Sequence, residues 1–139
     1  MKNKSILFLC TGNACRSQMA EGFARAMFPK EWKIYSAGTI AAGLFPQTVE
    51  AMREAGIDIS GQYSKTIDSV PVGEIDYVIT LCGDARESCP IFPKKVEKEH
   101  WPIKDPARDI DKPNELESFR NVRDDIKARV EGLAKRLKG

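Results

Sequence analysis

The 139-residue sequence has no long hydrophobic run and almost no net charge. Its apolar stretches are far shorter than the roughly 20 residues that a membrane-spanning helix needs. The first four residues lead into only a short apolar run before Cys10, which argues against a signal peptide. With 22 basic and 20 acidic residues, the formal charge is +2. We therefore expect a cytoplasmic protein that binds neither nucleic acid nor a membrane.

Internal repeats, low-complexity tracts and domain linkers are also missing, and the length suits a single domain over residues 1–139. Histidine occurs once, at His100, to which we assign no role. The spacing of the cysteines does not match the paired C-x2-C knuckles of a zinc site, so no metal is expected. Structural disulfides are not expected in a reducing compartment. Catalytic or redox use is the better interpretation of the four cysteines, Cys10, Cys15, Cys82 and Cys89.

Short apolar runs alternate with segments of helical periodicity along the chain. Strands are predicted at residues 5–9, 32–35, 75–81 and 96–101. Helices are predicted at about residues 17–28, from Pro46 to a cap at Gly56, and from Leu116 to Leu137. Residues 57–72 are predicted as a loop with a short turn, and residues 83–89 as a short helix. This alternation predicts an α/β fold with a parallel sheet.

Residues 10–18 carry the strongest chemical signal. The first strand ends at Cys10, and the short loop after it leads to Arg16 and Ser17 at the start of a helix. In such a unit the backbone N–H groups and the helix N-terminus converge and bind an anion. They also favour a cysteine thiolate, and an arginine donates paired hydrogen bonds to a tetrahedral oxyanion. We interpret Cys10 as a nucleophile that faces an oxyanion held by Arg16.

Three chemically useful residues follow predicted strands. Cys10, Cys82 and Asp105 all lie just beyond strand ends. Ligand sites of parallel sheets lie at this edge, so we expect the three to converge. Asp105 has an alternative interpretation as a turn residue before Pro106. The hydroxyl of Thr11 either binds the thiolate or oxyanion or caps the loop, and Cys15 reads as a small buried residue.

The segment from Cys10 to Ser17 resembles the signature loop of the low-molecular-weight protein tyrosine phosphatase superfamily. Within it, the chain is similar to the thioredoxin-coupled arsenate reductases over nearly its whole length, including residues 19–22, 36–38, 80–84, 89–90, 100–101 and 105–108. The resemblance implies a flavodoxin-like three-layer sandwich, with a four-stranded parallel sheet and helices on both faces. It also implies an oxyanion-binding loop of Thr11, Gly12, Asn13, Ala14, Cys15, Arg16 and Ser17.

The resemblance further implies that thiols reduce arsenate to arsenite in arsenic detoxification. Cys10 attacks arsenic, and Asp105 protonates the departing oxygen. Cys82 then attacks Cys10, which releases arsenite and forms a Cys10–Cys82 disulfide. Cys89 attacks Cys82, and thioredoxin reduces the Cys82–Cys89 disulfide. The resemblance implies no bound cofactor, with phosphate and sulfate as mimics of arsenate, and we expect a monomer with weak phosphatase activity.

Two other functions fit parts of the sequence. A protein tyrosine phosphatase would use the same nucleophile, arginine and aspartate, but it has no need of Cys82 and Cys89. The phosphatases that the chain resembles place aromatic residues where this sequence has Ala107 and Arg108. A binding module for arsenic or zinc would need several thiolates on one ion, and the cysteine spacing does not support it.

One position departs from the family pattern. Many of the reductases bind potassium beside the loop through residues at positions 13, 21 and 36 and an aspartate, and this chain has Lys65 in place of that aspartate. We expect Lys65 to replace potassium and to organise the loop with Asn13, Glu21 and Ser36, which puts a potassium site in doubt. The alternative is a solvated lysine in a loop.

Overall fold

A computed structural model describes residues 4–81 and 95–138. The strands within them are β1 (Ser5–Cys10), β2 (Lys33–Gly38), β3 (Tyr77–Thr80) and β4 (Glu97–His100). The α-helices are α1 (Arg16–Met27), α2 (Pro46–Glu54) and α3 (Glu115–Lys138). Short 3-10 helices cover Ile67–Ser69, Val72–Glu74 and Pro106–Asp109. The predicted helix at residues 83–89 lies outside the described residues.

The four strands form one parallel sheet in the order β2-β1-β3-β4. All residues of the central strand β1 are buried, as its continuous apolar sequence requires of a strand covered on both faces. Ile6 and Phe8 face a core to which all three helices contribute. Leu7 and Leu9 face a second core, which includes Ile75. Ile67 of the 3-10 helix Ile67–Ser69 packs against this core. The predicted α/β sandwich is confirmed.

The amphipathic pattern of α3 explains how it covers the sheet. Phe119, Ile126 and Val130 are fully buried, and charged residues occupy the opposite face. Leu116, which the periodicity places on the same stripe, is 44% exposed. It lies in the first turn of the helix, before the buried stripe begins at Phe119. No helix among the described residues has the length and apolar character needed to cross a membrane.

Strand β2 extends beyond its predicted end at residue 35. Residues 36–38 pair in parallel register with residues 8–10 of β1. The Ser-Ala-Gly sequence has weak β propensity, but pairing with a buried neighbour overrides local preference. Strand β3 is shorter than predicted, because only Tyr77–Thr80 of residues 75–81 are paired. The extension matters for function because it brings Gly38 beside Cys10.

The close approach at Gly38 generates a prediction. A Cβ atom added there would lie 2.7 Å from the backbone nitrogen of Asn13 and 2.7 Å from the backbone oxygen of Thr11, and closer still to the carbonyl of Ile40. Backbone atoms cannot move aside cheaply, so Gly38→Ala is expected to lower the free energy of unfolding by about 3 kcal/mol in urea titrations. Gly61→Ala, with open space at its Cβ, is the control. Equal stability of the two variants would contradict the prediction.

Candidate active site

The loop of residues 10–17, here called the Cys10 loop, connects β1 to α1. It begins at Cys10, the last residue of β1, and its last two residues, Arg16 and Ser17, are the first two of α1. Three of its carbonyls, those of Thr11, Gly12 and Ala14, accept hydrogen bonds of 3.0, 2.9 and 3.3 Å from the N–H groups of Ile40, Ala42 and Phe45. These bonds fasten the loop to the segment that follows β2, so the loop has a fixed path.

A cavity of about 190 Å³ opens at the Cys10 loop. Its polar wall carries Arg16 and Asp105, as expected for side chains that converge at the carboxyl edge of the sheet. The opposite wall is apolar and consists of Ile40, Ala42 and Phe45. The lining is completed by Cys10, Thr11, Gly12, Ala14 and Cys15. The cavity therefore combines a thiol, a guanidinium and a carboxylate.

The thiol of Cys10 is buried and hydrogen-bonded. Its Sγ atom lies 2.8 Å from Oγ of Ser17. That oxygen already accepts a hydrogen bond of 2.8 Å from Nδ2 of Asn13. A hydroxyl has one proton to donate, and Ser17 has Cys10 as its remaining partner. A thiolate can only accept, so the hydroxyl of Ser17 donates to the sulfur when Cys10 is ionised.

Asn13 holds this arrangement in place. It is fully buried and has φ of 49°, in the left-handed region that asparagine tolerates better than most residues. Its Nδ2 donates to Ser17 at 2.8 Å and to Ser36 at 3.0 Å. Its Oδ1 accepts from Nε2 of Gln18 and from the backbone N–H of Lys65, both at 2.9 Å. A backbone N–H can only donate, so the orientation of the amide is settled.

Arg16 is buried, and one of its donors has no partner. Its NH1 donates to the carbonyl of Ile103 at 3.0 Å, and its NH2 lies 3.4 Å from Oδ2 of Asp105. Its Nε is buried and has no hydrogen-bond partner among the described residues. A buried donor left unpaired costs about 1–3 kcal/mol, which an anion in the cavity would remove. The guanidinium is thus positioned for a ligand with several oxygens.

Asp105 lies at the mouth of the same cavity. Its Oδ1 accepts a hydrogen bond of 3.0 Å from the N–H of Ala107 and caps the 3-10 helix Pro106–Asp109. Its Oδ2 faces Arg16, and the side chain is 40% exposed. The turn interpretation of Asp105 is therefore correct as geometry, and the turn itself brings the carboxylate to the cavity.

Glu21, Ser36 and Lys65 lie together next to Asn13 of the Cys10 loop, and they are not among the residues that line the cavity. Ser36 donates a hydrogen bond of 2.5 Å to Oε1 of Glu21, and the ammonium of Lys65 lies 3.6 Å from that oxygen and 3.5 Å from Oγ of Ser36. Oε2 of Glu21 accepts from Nε of Arg25 at 2.8 Å. The side chain of Lys65 is only 12% exposed, so its interpretation as a solvated lysine is wrong.

Comparison with known proteins decides the family. The family model of the low molecular weight phosphotyrosine protein phosphatases matches residues 5–139. The chain belongs to this family. The family matches the resemblance carried by the Cys10 loop, and it accounts for the four-stranded parallel sheet.

Similar members of the family include arsenate reductases. The arsenate reductase of Bacillus subtilis (strain 168) is 53% identical over 135 residues, which cover 96% of this chain and 97% of the relative. The structure of an arsenate reductase in its phosphate-binding state is 36% identical with a TM-score of 0.78, over 96% of this chain and 98% of the other. A thioredoxin-dependent arsenate reductase of Corynebacterium glutamicum is 28% identical with a TM-score of 0.76, over 98% of this chain and 62% of the other.

Two of the residues expected in the reaction lie outside the described part of this phosphatase-family chain. These are Cys82 and Cys89. Leu81 is the last described residue after β3, and its N–H donates to the carbonyl of Leu9 at 2.9 Å. Over residues 4–81 and 95–138, no group of three or more histidine, cysteine or acidic residues is placed to hold a metal ion.

Gln18 is a site residue that the sequence reasoning missed. It is fully buried, and besides Asn13 its Nε2 donates to the carbonyl of Tyr63 at 2.9 Å, while its Oε1 accepts from Nε2 of Gln62 at 2.7 Å. These bonds join the Cys10 loop to the loop that carries Lys65. The only available signal was a long polar side chain directly after Ser17, and burial of such a residue depends on the tertiary fold.

The second cysteine of the family loop, Cys15, is placed differently from Cys10. It is buried, and desolvation raises its pKa to about 12, although a hydrogen bond with Thr48 acts in the opposite direction. A thiol with so high a pKa remains neutral at physiological pH and is a poor nucleophile.

This difference predicts selective alkylation. In a Cys82→Ser/Cys89→Ser variant, iodoacetamide at about pH 8 is expected to modify Cys10 and to leave Cys15 intact in the folded protein, because only a thiolate reacts at a useful rate. Mass spectrometry of peptides measures the two sites separately. The same reaction in urea, where both thiols are exposed, is the control. Modification of Cys15 in the folded protein at a rate similar to that of Cys10 would contradict the assignment.

Proposed function

We propose that this chain is an arsenate reductase that binds arsenate in the Cys10 loop and reduces it to arsenite, with thioredoxin as the electron donor. One observation carries the proposal: the buried thiol of Cys10, which lies 2.8 Å from Oγ of Ser17, lines the same cavity as Arg16, whose Nε has no hydrogen-bond partner among the described residues. The 53% identity to an arsenate reductase of equal length supports it. The proposal includes a role in arsenic detoxification.

The oxyanion site consists of the Cys10 loop and Arg16. We propose that backbone and side-chain donors of residues 11–17 hold the oxygens of arsenate, with Arg16 donating from Nε and one terminal nitrogen. Phosphate and sulfate have the same tetrahedral shape and would compete for the site. The related arsenate reductase in a phosphate-binding state supports binding of such an oxyanion.

The first chemical step forms a bond between sulfur and arsenic. The thiolate of Cys10 attacks arsenic, and the bond between arsenic and one oxygen breaks. That oxygen leaves as water after it takes a proton, and we propose that Asp105 supplies this proton as the general acid. The distance of 3.4 Å between its Oδ2 and the guanidinium that would hold the anion supports this role.

The next steps transfer two electrons. The thiolate of Cys82 attacks the sulfur of Cys10, the electron pair of the sulfur–arsenic bond passes to arsenic, and arsenite leaves. Cys89 then attacks the Cys10–Cys82 disulfide at Cys82, which frees Cys10 and forms the Cys82–Cys89 disulfide. Two thiols of thioredoxin reduce this disulfide. The relay follows from the family resemblance, and the thioredoxin-dependent relative at 28% identity supports the electron donor.

We also propose that the protein works as a monomer in the cytoplasm with no bound cofactor. Every redox group in the scheme is a cysteine side chain, and Cys10 and Cys15 are free thiols. Such thiols persist in a reducing compartment.

Phosphatase activity is the second candidate function. It would use the same Cys10 loop, Arg16 and Asp105, because phosphate and arsenate share shape and charge. The apolar wall of Ile40, Ala42 and Phe45 would accept an organic leaving group. We propose it as a weak side activity, which provides an internal control for the reductase.

Replacement of Cys82 separates the two activities. Cys82→Ser is expected to abolish multiple turnover of arsenate with thioredoxin, thioredoxin reductase and NADPH, because the sulfur–arsenic adduct then has no second thiol. Hydrolysis of p-nitrophenyl phosphate by the same variant should stay within about twofold of the unchanged protein, since water attacks phosphorus directly. Unchanged arsenate turnover would overturn the relay.

Replacement of Arg16 tests the shared anion site. Arg16→Lys keeps the charge but removes the paired donors, so kcat/KM for both activities is expected to fall by about 100-fold to 1000-fold. Arg108→Lys, an exposed change on the neighbouring 3-10 helix, is the matched control and should change kcat/KM by less than about threefold. Similar effects of the two substitutions would contradict the assignment of Arg16.

A further inference from the structure

We propose that the ammonium group of Lys65 acts as a built-in monovalent cation that sets the direction of the hydrogen bonds ending at the Cys10 thiol. Lys65 is thus a positioning residue for the nucleophile. The inference rests on the proposed function only in taking Cys10 as the nucleophile, because it does not depend on the identity of the substrate.

The surroundings of Nζ of Lys65 resemble the shell of a bound cation. Three oxygens surround it: the carbonyl of Tyr63 at 3.1 Å, Oγ of Ser36 at 3.5 Å and Oε1 of Glu21 at 3.6 Å. The ring of Tyr63 covers it further, with the centroid 4.9 Å away. A side chain that is 12% exposed and contacts a hydroxyl, a carbonyl and a carboxylate occupies a defined site.

The charge of Lys65 is needed because Glu21 is buried. The side chain of Glu21 is 5% exposed, and a carboxylate at that depth keeps its charge only with nearby cations. Nε of Arg25 donates to Oε2 of Glu21 at 2.8 Å, but the side chain of Arg25 is 55% exposed. The other carboxylate oxygen, Oε1, accepts a hydrogen bond from Ser36 and forms an ion pair with the ammonium of Lys65.

An ionised Glu21 sets the direction of the chain of hydrogen bonds that runs from Glu21 through Ser36, Asn13 and Ser17 to Cys10. A carboxylate only accepts hydrogen bonds, so Ser36 must donate its proton to Glu21 and accept from elsewhere. Ser36 accepts from Nδ2 of Asn13 at 3.0 Å, and the second proton of that nitrogen goes to Ser17 at 2.8 Å. Ser17 is thereby left to donate to Cys10. When Cys10 is a thiolate, each hydroxyl in this chain of hydrogen bonds has one permitted orientation.

Loss of the Lys65 ammonium would remove this constraint. Oε1 of Glu21 and Oγ of Ser36 would then lose the cation that lies between 3.5 and 3.6 Å from both, so Ser36 would be held less firmly between Glu21 and Asn13. The backbone N–H of Lys65 would still hold Oδ1 of Asn13, so the amide would keep its orientation and the loss would be partial. The expected effect is a weaker hydrogen bond from Ser17 to the thiolate, with the loop otherwise intact.

Alkylation of Cys10 measures this effect without any substrate. In the Cys82→Ser/Cys89→Ser background, Lys65→Met removes the charge and retains most of the apolar stem. We expect iodoacetamide to react with Cys10 about tenfold more slowly at about pH 7, with the pH profile displaced to higher pH. The titratable groups that line the cavity with Cys10, namely Cys15, Arg16 and Asp105, are unchanged in the variant.

Two matched variants separate this role from stability. Lys33→Met removes an exposed lysine that lies 3.5 Å from Glu74, and it should leave the alkylation profile unchanged. Lys65→Arg keeps a cation and should react within about threefold of the unchanged protein. A Lys65→Met protein that is less stable to heat but is alkylated at the original rate and pH would show a merely structural lysine and overturn the proposal.

Free cations provide an independent test. Lys65→Ala empties the space beside Ser36 and Glu21, so potassium or ammonium ions at constant ionic strength should restore the alkylation rate of this variant several-fold, and choline should not. The protein with Lys65 intact should not respond to any of these ions. A potassium response of equal size in both proteins, or none in Lys65→Ala, would overturn the proposal. If cations restore the alkylation of Lys65→Ala but the protein with all four cysteines does not reduce arsenate, the proposed function is rejected and this inference stands.

Discussion

The side-chain amide of Asn13 is the interaction on which the rest of the site depends. It lies at a left-handed backbone position and has all four of its hydrogen-bonding capacities filled. Its partners come from α1, from β2 and from the loop before β3. A buried polar network in which every member is satisfied is rigid, because any rearrangement leaves a donor or acceptor unpaired. The position of the Cys10 thiol is therefore set by residues far apart in the sequence.

Two buried charges on α1 have opposite environments. Arg16 has one half-exposed carboxylate beside it, that of Asp105, and its Nε has no hydrogen-bond partner among the described residues. Glu21 is held between two cations, those of Arg25 and Lys65. The cavity thus retains uncompensated positive potential for an anion, while the negative charge of Glu21 is neutralised before it can repel a thiolate. The separation of the charges along one helix explains how an acidic residue lies so near an anion site without weakening it.

The strand–loop–helix unit was predictable because its signals are local. The apolar run of β1, the proline that starts α2 and the periodicity of α3 each follow from short-range physics. The end of β2 was predicted at residue 35 instead of Gly38, and Leu116 was predicted on the buried stripe of α3 although it is exposed. Strand pairing and the extent of the sheet decide these two features, and local propensity does not record them. The convergence of Cys10 and Asp105 followed from the rule for parallel sheets. Gln18 was missed because only the tertiary fold determines whether a polar side chain is buried.

The geometry of the Cys10 loop fits both of the proposed reactions, and the choice between them depends on which atom the second nucleophile attacks. In a phosphatase, water attacks phosphorus in the covalent intermediate, and the sulfur leaves as a thiolate. In a reductase, a thiol attacks the sulfur of Cys10, and the central atom leaves with the electron pair. Arsenic accepts the pair readily in going from the +5 to the +3 state, whereas phosphorus does not. The Cys10 loop therefore does not set the specificity for arsenate. Reduction requires a thiol that reaches Cys10 and a central atom that can be reduced.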